Sequence, residues 1–245
     1  ASPDEIRAFL SRWSGSYYED RLRNDWLLLL GRRGDWNNFR LEQAQYRMND
    51  DREVQCYALL ADPQSPHAPA AETVRQLWLG QKEADEGCAS AARALLQREE
   101  LEVDAAWQRA RLGMENGRLR VATQAVAMLD KQWAVTVEDI YANPARYLDD
   151  KLTALRPRTK ELVTLALVRL AVKDYQEAAE QLGKLRWRTQ LTDEERSWVW
   201  GVVGRQAALK LSPRALDYFN QAQERYLNDE MLAWKTRAAL RSADW

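Results

Sequence analysis

The feature that most constrains this chain is a helical apolar period that recurs in pairs, each pair broken by a very short turn. Leu162, Leu165, Ala166, Arg169 and Leu170 fall at i, i+3, i+4, i+7 and i+8, and Val163 and Leu167 widen the stripe. After a break at Val172-Lys173-Asp174, the same period resumes with Tyr175, Ala178, Ala179, Leu182 and Leu185. Asp174 is placed to cap the second helix. Two antiparallel helices joined by a short turn follow from this spacing. The pattern returns in Trp198 to Leu209, a turn at Leu211-Ser212-Pro213, and a partner over Arg214 to Tyr226, with Ser212 as N-cap and Pro213 at the first helical position. Val103 to Met114 and Arg118 to Leu129 make a third pair around Glu115-Asn116-Gly117. A fourth runs from Trp26 to Gly31 and from Trp36 onward, around Arg32-Arg33-Gly34-Asp35. Ala178 and Ala215 hold equivalent places, small enough for helices to cross closely.

One such pair cannot bury its apolar face alone, so recurring pairs predict a stacked array. The expected fold class is all-α, with stacked antiparallel helix pairs forming a right-handed superhelix or arc. This is an α-solenoid like tetratricopeptide arrays, though its repeats are less regular. Helices should hold roughly 70% or more of the residues, against a globular average of about a third. No stretch alternates apolar and polar residues with β-branched enrichment, as a strand would. The scarcity of Gly, at 10, and Pro, at 7, agrees with short connections.

Two breaks interrupt the texture. Ala61 to Ala70, with Pro63, Pro66 and Pro69, reads as a loop, and Tyr141 to Pro157 reads as a short helix bounded by Asn143-Pro144 and Arg156-Pro157. Neither has the composition of a flexible linker, so residues 1–245 are expected to form a single helical segment. Ser242-Ala243-Asp244-Trp245 resembles the Gly34-Asp35-Trp36 turn that opens a second helix. The chain is therefore expected to be a piece of a longer protein, and its start without Met agrees with trimming.

Bulk chemistry narrows the partners. Lys and Arg number 36 against 37 Asp and Glu, so the basic excess of a nucleic-acid binder is missing. The apolar run Trp26 to Leu30 has five residues, far short of a membrane span.

Catalytic chemistry is hard to find. His67 is the only histidine, and any Ser-His-Asp or Cys-His arrangement or histidine-containing metal site would need it. It sits in the Pro-rich stretch without patterned neighbours and reads as an exposed loop residue. The pairs Asp50-Asp51, Glu99-Glu100, Asp149-Asp150 and Glu194-Glu195 diverge by about 100° when helical. They read as first-turn charges or solvated faces, not as carboxylates converging across a cleft. No Gly-rich phosphate loop is present. The expectation is no catalytic residue, no cofactor and no metal ligand.

Cys56 and Cys88 leave two readings open. A bond across their 32-residue separation would close the Pro-rich loop, contributing roughly 3 to 4 kcal/mol by chain entropy. Two independent buried thiols fit the spacing equally well. A bond would put Cys56 near the end of one helix and Cys88 at the start of another, with Gly87 giving the chain freedom to turn. The tryptophans, 11 in all, mostly read as core filling between helix layers, although sugar or peptide stacking suits a few. Trp198 and Trp200 lie about 200° apart on a helix and must face different neighbours.

A family resemblance enters with Leu22-Arg23-Asn24-Asp25-Trp26, Gly34-Asp35-Trp36 and Glu53-Val54-Gln55-Cys56-Tyr57. With Ala71 to Gly80, an Ala-rich helix running to Leu77-Trp78 ahead of Cys88, they resemble the N-terminal superhelical domain of the large soluble lytic murein transglycosylases of Gram-negative bacteria. The resemblance is motif-poor after residue 120. It implies a periplasmic parent enzyme that cleaves the β-1,4 bond between N-acetylmuramic acid and N-acetylglucosamine without water, leaving a 1,6-anhydromuramoyl end. In that family a Glu followed by Ser, and a Gly-Leu-Met-Gln motif, belong to a C-terminal lysozyme-like domain. This sequence contains neither, so no catalytic residue carries over. The implied partners are peptidoglycan glycan strands and the enzyme's own catalytic domain. An oxidising periplasm would favour the Cys56–Cys88 disulfide. The competing function is a helical-repeat scaffold that binds a protein or peptide on its concave face.

Overall fold

A computed structural model describes residues 2–62 and 67–242 of the chain. Helices account for 76% of the residues, and no strand occurs among those described. The chain divides into two compact units, residues 1–105 and 106–245.

The first unit holds α1 (Pro3–Arg12), α2 (Tyr17–Arg33), α3 (Trp36–Gln43), α4 (Arg52–Ala61), α5 (His67–Gly80) and α6 (Gly87–Gln97). Side chains fix where these helices begin. Ser2 and Glu5 form a reciprocal capping box at α1, Ser16 accepts from the Glu19 N–H at α2, and Asp51 accepts from Glu53 and Val54 at α4. Each cap satisfies helix donors that would otherwise be orphaned, worth about 1 kcal/mol apiece. The core is built from Leu27 and Leu30 of α2, Phe39 of α3, and Val54 and Tyr57 of α4, with Leu10 closing it from α1. α4 packs against α2, α3, α5 and α6 and is the hub of this unit.

The division falls just inside α7 (Val103–Glu115), most of which lies in the second unit. There follow α8 (Leu119–Ala127), α9 (Lys131–Ala142), α10 (Pro144–Asp149), α11 (Pro157–Lys173), α12 (Tyr175–Gly183), α13 (Leu185–Gln190), α14 (Asp193–Leu209), α15 (Ala215–Phe219) and α16 (Asp229–Ser242). α11 and α14 form the centre. α11 buries nine residues from Leu162 to Ala171, covering every side of the helix, as a helix does only when neighbours surround it. α14 packs against α11, α12, α15 and α16. The pair α11–α12 turns at Asp174 alone, whose carboxylate accepts from the Gln176 and Glu177 N–H groups as expected.

Two segments differ from the sequence reading. Residues 67–70, expected as loop, form the first turn of α5, while 63–66 lie outside the described residues. So do 243–245, on which the comparison with the Gly34-Asp35-Trp36 turn depends. The partner of α14 is also shorter than Arg214 to Tyr226. Leu211 has a positive φ of 60°, and Ser212 uses its hydroxyl and carbonyl on the N–H groups of Arg214 and Ala215. The helix therefore starts at Ala215 instead of Pro213. It stops after Phe219, and a few residues on the Ser197 hydroxyl of α14 accepts the Gln223 N–H at 3.0 Å. A tertiary hydrogen bond there replaces a further helical turn, and a 3-10 turn, Glu224–Tyr226, follows.

Candidate functional site

The cysteines are joined. Cys56 lies in the middle of α4, not near a helix end as expected, and bonds Cys88, the second residue of α6, with Cα atoms 4.9 Å apart and both side chains fully buried. That separation lies in the range a disulfide needs. Gly87 serves this junction differently from the expected turn. It is already helical, and a Cβ on it would lie 2.7 Å from the Glu53 carbonyl oxygen and 3.0 Å from the Tyr57 ring. Its missing side chain lets α6 approach α4 closely enough for the bond. α5 packs on both bonded helices, so the link ties the Ala71–Gly80 segment to the preceding pair.

A second polar centre, unforeseen from the sequence, lies inside the second unit. Arg111 of α7 is 1% exposed. It donates from Nη2 and Nε to both oxygens of Glu161 on α11, at 2.7 to 3.2 Å, and from Nη1 to Glu194 on α14 at 2.7 Å. Its guanidinium also sits 5.4 Å from the centre of the Trp198 ring. One turn further along α7, Glu115 accepts from the Trp198 indole N–H at 3.0 Å and the Asn228 amide at 3.5 Å. Arg205 of α14 lies 3.7 Å from the Glu115 carboxylate, donates to its backbone carbonyl at 3.1 Å, and reaches Glu230 of α16 at 3.1 Å. Burial pushes the Glu115 carboxyl up to about 7, although Arg205 and the Trp198 N–H pull the other way.

A carboxyl poised near neutrality is the kind of group that moves protons. Here protein groups enclose it, with 3% of the residue exposed and its oxygens facing Trp198, Asn228 and Arg205. The arrangement fastens α7 to α14 and to the chain ahead of α16. Its sequence trace is faint: Arg111 and Glu115 are four apart, and Trp198 and Arg205 seven apart, so each pair shares one helix face.

The first unit has its own polar centre. Arg23 bridges Glu19 and Glu42 in the interior, and Asp20 accepts the N–H groups of Arg47 and Met48. The Arg23 hydrogen bond holds the Glu19 carboxyl below its usual range, against the opposing effect of burial.

The remaining sequence candidates scatter. His67 opens α5, and its exposure lies outside the described residues. Of the acidic pairs, Asp51 and Glu195 serve helix N-termini, as expected for first-turn charges. Asp50 accepts the Tyr46 hydroxyl, Asp149 accepts the Gln181 amide, and Glu100 pairs with Arg98. Glu194 departs from that expectation by joining Arg111. Among the described residues, no group of three or more His, Cys, Asp or Glu is arranged around a metal-sized space, and no helix is long and apolar enough to cross a membrane. Trp26, Trp78, Trp107, Trp187 and Trp198 are buried, Trp36, Trp133, Trp200 and Trp234 are half-buried, and Trp13 is exposed. Trp198 and Trp200 do face apart, the first toward Glu115 and the second stacked on Tyr218 at a 13° interplanar angle.

These features define two helical units, the first holding a disulfide and each fastened by buried ion pairs. Known structures share this fold. The lytic transglycosylase Slt of Pseudomonas aeruginosa, in an inactive mutant, matches 98% of this chain at 24% identity and a TM-score of 0.65. The 70-kDa soluble lytic transglycosylase of Escherichia coli matches 99% at 17% identity and a TM-score of 0.55. A 70-kDa soluble lytic transglycosylase in complex with bulgecin A matches 98% at 18% identity and 0.54. The chain spans 37 to 40% of the length of these proteins. At such identities the likeness establishes the fold. No family model and no curated protein sequence matches the chain.

Proposed function

We propose that residues 1–245 are one helical, non-catalytic segment of a periplasmic peptidoglycan lytic transglycosylase. The parent enzyme cleaves the β-1,4 bond between N-acetylmuramic acid and N-acetylglucosamine to give 1,6-anhydromuramoyl products. This segment orients the glycan strand, or the C-terminal catalytic domain upon it, so that its contribution is positioning and not bond cleavage. The observation that carries the reading is the fold likeness to lytic transglycosylases over nearly the whole chain but only about two fifths of theirs. The buried Cys56–Cys88 bond supports an oxidising compartment. The enclosure of Glu115 supports a structural use for a carboxyl shifted close to neutrality.

The test is the parent enzyme with and without this segment. Loss of the segment should slow release of 1,6-anhydromuropeptides from insoluble sacculi several-fold and leave turnover of a short soluble glycan unchanged. The isolated chain should release none. Turnover by the chain alone, abolished by substituting one of its own carboxylates, would overturn the reading.

A further inference from the structure

The N-terminal corner of the first unit carries a surface that neither the disulfide nor the buried ion pairs use. Phe9, Trp13, Tyr17 and Tyr18 are 38%, 44%, 62% and 62% exposed. They form one continuous run. Phe9 and Trp13 have ring centroids 6.1 Å apart, Trp13 and Tyr18 5.9 Å, and Tyr18 and Tyr17 6.0 Å, each ring tilted against the next.

The chain is built to leave these rings uncovered. Trp13 ends α1, Tyr17 and Tyr18 open α2, and only Ser14, Gly15 and Ser16 lie between. Gly15 has a φ of +82°, and nothing lies within 4 Å of where its Cβ would stand. Leu10 and Ile6 make the contact of α1 with the core. A contiguous exposed aromatic patch marks a contact surface.

The polar groups around the rings indicate what it contacts. Among the described residues, the Trp13 indole N–H and the Tyr17 and Tyr18 hydroxyls have no hydrogen-bond partner. Arg12, beside Trp13, and Arg21, one turn along α2 from the tyrosines, are exposed and have no carboxylate partner among the described residues. Other arginines nearby are engaged: Arg7 with Asp4, and Arg23 and Arg47 with Glu19. Ring faces receive the C–H faces of pyranose units, donors at the ring edges meet hydroxyl and amide oxygens, and free guanidiniums take carboxylates in pairs of hydrogen bonds.

We infer that the corner formed by Phe9, Trp13, Tyr18 and Tyr17 binds a carboxylate-bearing glycan strand, with Arg12 and Arg21 holding its acidic substituents. This rests on the function proposed above for the identity of the strand as cell-wall glycan. An anionic membrane surface is the poorer fit. Such docking uses clusters of about four to eight basic residues, whereas this corner offers two arginines, Arg12 on α1 and Arg21 on α2, and α1 also exposes Asp4 at 94%.

The test is retention of the 245-residue chain on purified peptidoglycan sacculi and on phosphatidylglycerol vesicles. Trp13→Ala combined with Tyr18→Ala should weaken retention on sacculi at least tenfold. Arg12→Glu combined with Arg21→Glu should weaken it several-fold with an unchanged melting temperature, which keeps the test sound if the aromatic variant unfolds. Vesicle binding should be absent. Wild-type retention that neither variant alters would overturn the corner site and leave the glycan-guiding function standing on other residues. Retention on vesicles and not on sacculi would replace the site with a membrane contact. No retention of the wild type on either would overturn the site and the guiding role together.

Discussion

Trp198 donates its indole N–H to Glu115 at 3.0 Å across 83 residues of sequence, and this bond joins α14 to α7 in the interior of the second unit. Glu115 is 3% exposed, so its charge state depends on burial and on its partners Trp198, Arg205 and Asn228. The first prediction follows from its position. The carboxyl titrates near 4.5 when unfolded and at about 7 when folded. A folded value above the unfolded one means that the stabilisation is fully present below pH 4.5 and is lost as pH rises through 7. The span is worth on the order of 3 kcal/mol. Glu115→Gln should therefore flatten the fall in melting temperature between pH 5 and pH 8 relative to the wild type. Parallel profiles for the two proteins would show that Glu115 is already ionised throughout that range.

Arg111 supplies the second prediction. It satisfies two carboxylates at once, Glu161 through two donors and Glu194 through a third, and its planar group lies over Trp198. Arg111→Ala removes this partner from Glu161 and Glu194, which are part-buried, and should cost about 1.5 to 3 kcal/mol, the scale of hydrogen bonds to charged groups. Arg111→Lys should recover only part of that, because one ammonium cannot reproduce the fork. Denaturant unfolding of both variants decides the point. Equal stability of the Lys variant and the wild type would mean that charge alone matters.

These two centres mark the limit of what the sequence disclosed. The α11–α12 pair, its turn at Asp174 and the opposed faces of Trp198 and Trp200 were legible because helical period and capping are local. The pairing of Cys56 with Cys88 was not fixed by spacing, which two separate buried thiols fit equally well. Arg111 and Glu115 were illegible because a charged residue on an amphipathic helix looks the same whether it meets water or a carboxylate 50 or 83 residues away. Trp13 misled in the opposite direction. Large aromatics on helices usually fill cores, and only the placement of α1, with Leu10 facing inward, leaves its ring outside. The short α15 was missed because Ser197, on another helix, takes the Gln223 N–H.

The third prediction concerns the disulfide. Cys56→Ser together with Cys88→Ser releases a loop of 32 residues, for which chain entropy alone gives about 4 kcal/mol. The loss should appear as a lower melting temperature, matched by reducing the wild type, and labelling of the denatured oxidised protein should find no free thiol. Gly87→Ala should weaken the same junction through the Glu53 carbonyl and should slow re-formation of the bond. Unchanged stability on reduction would mean that packing of α4 on α6 holds the segment unaided.

Two glycines give the last prediction because they separate close packing from backbone freedom. Gly204, inside α14, faces Phe219 of α15, and a Cβ there would lie 2.7 to 2.8 Å from the aromatic ring. Phe219 is fully buried and cannot swing into water, so the helices themselves would have to part. Gly204→Ala should cost about 1 to 3 kcal/mol, the usual penalty of forcing volume into a packed interior. Gly183, the last residue of α12, has nothing within 4 Å of its would-be Cβ and has no positive φ. Gly183→Ala should be neutral or should stabilise by about 0.4 to 1 kcal/mol, through the entropy removed from the unfolded chain. Melting curves of the two variants should therefore move in opposite directions, or one should fall while the other stays. If both rose, α14 and α15 would have room between them, and the close crossing at Gly204 could not be what seats α15 on the central helix.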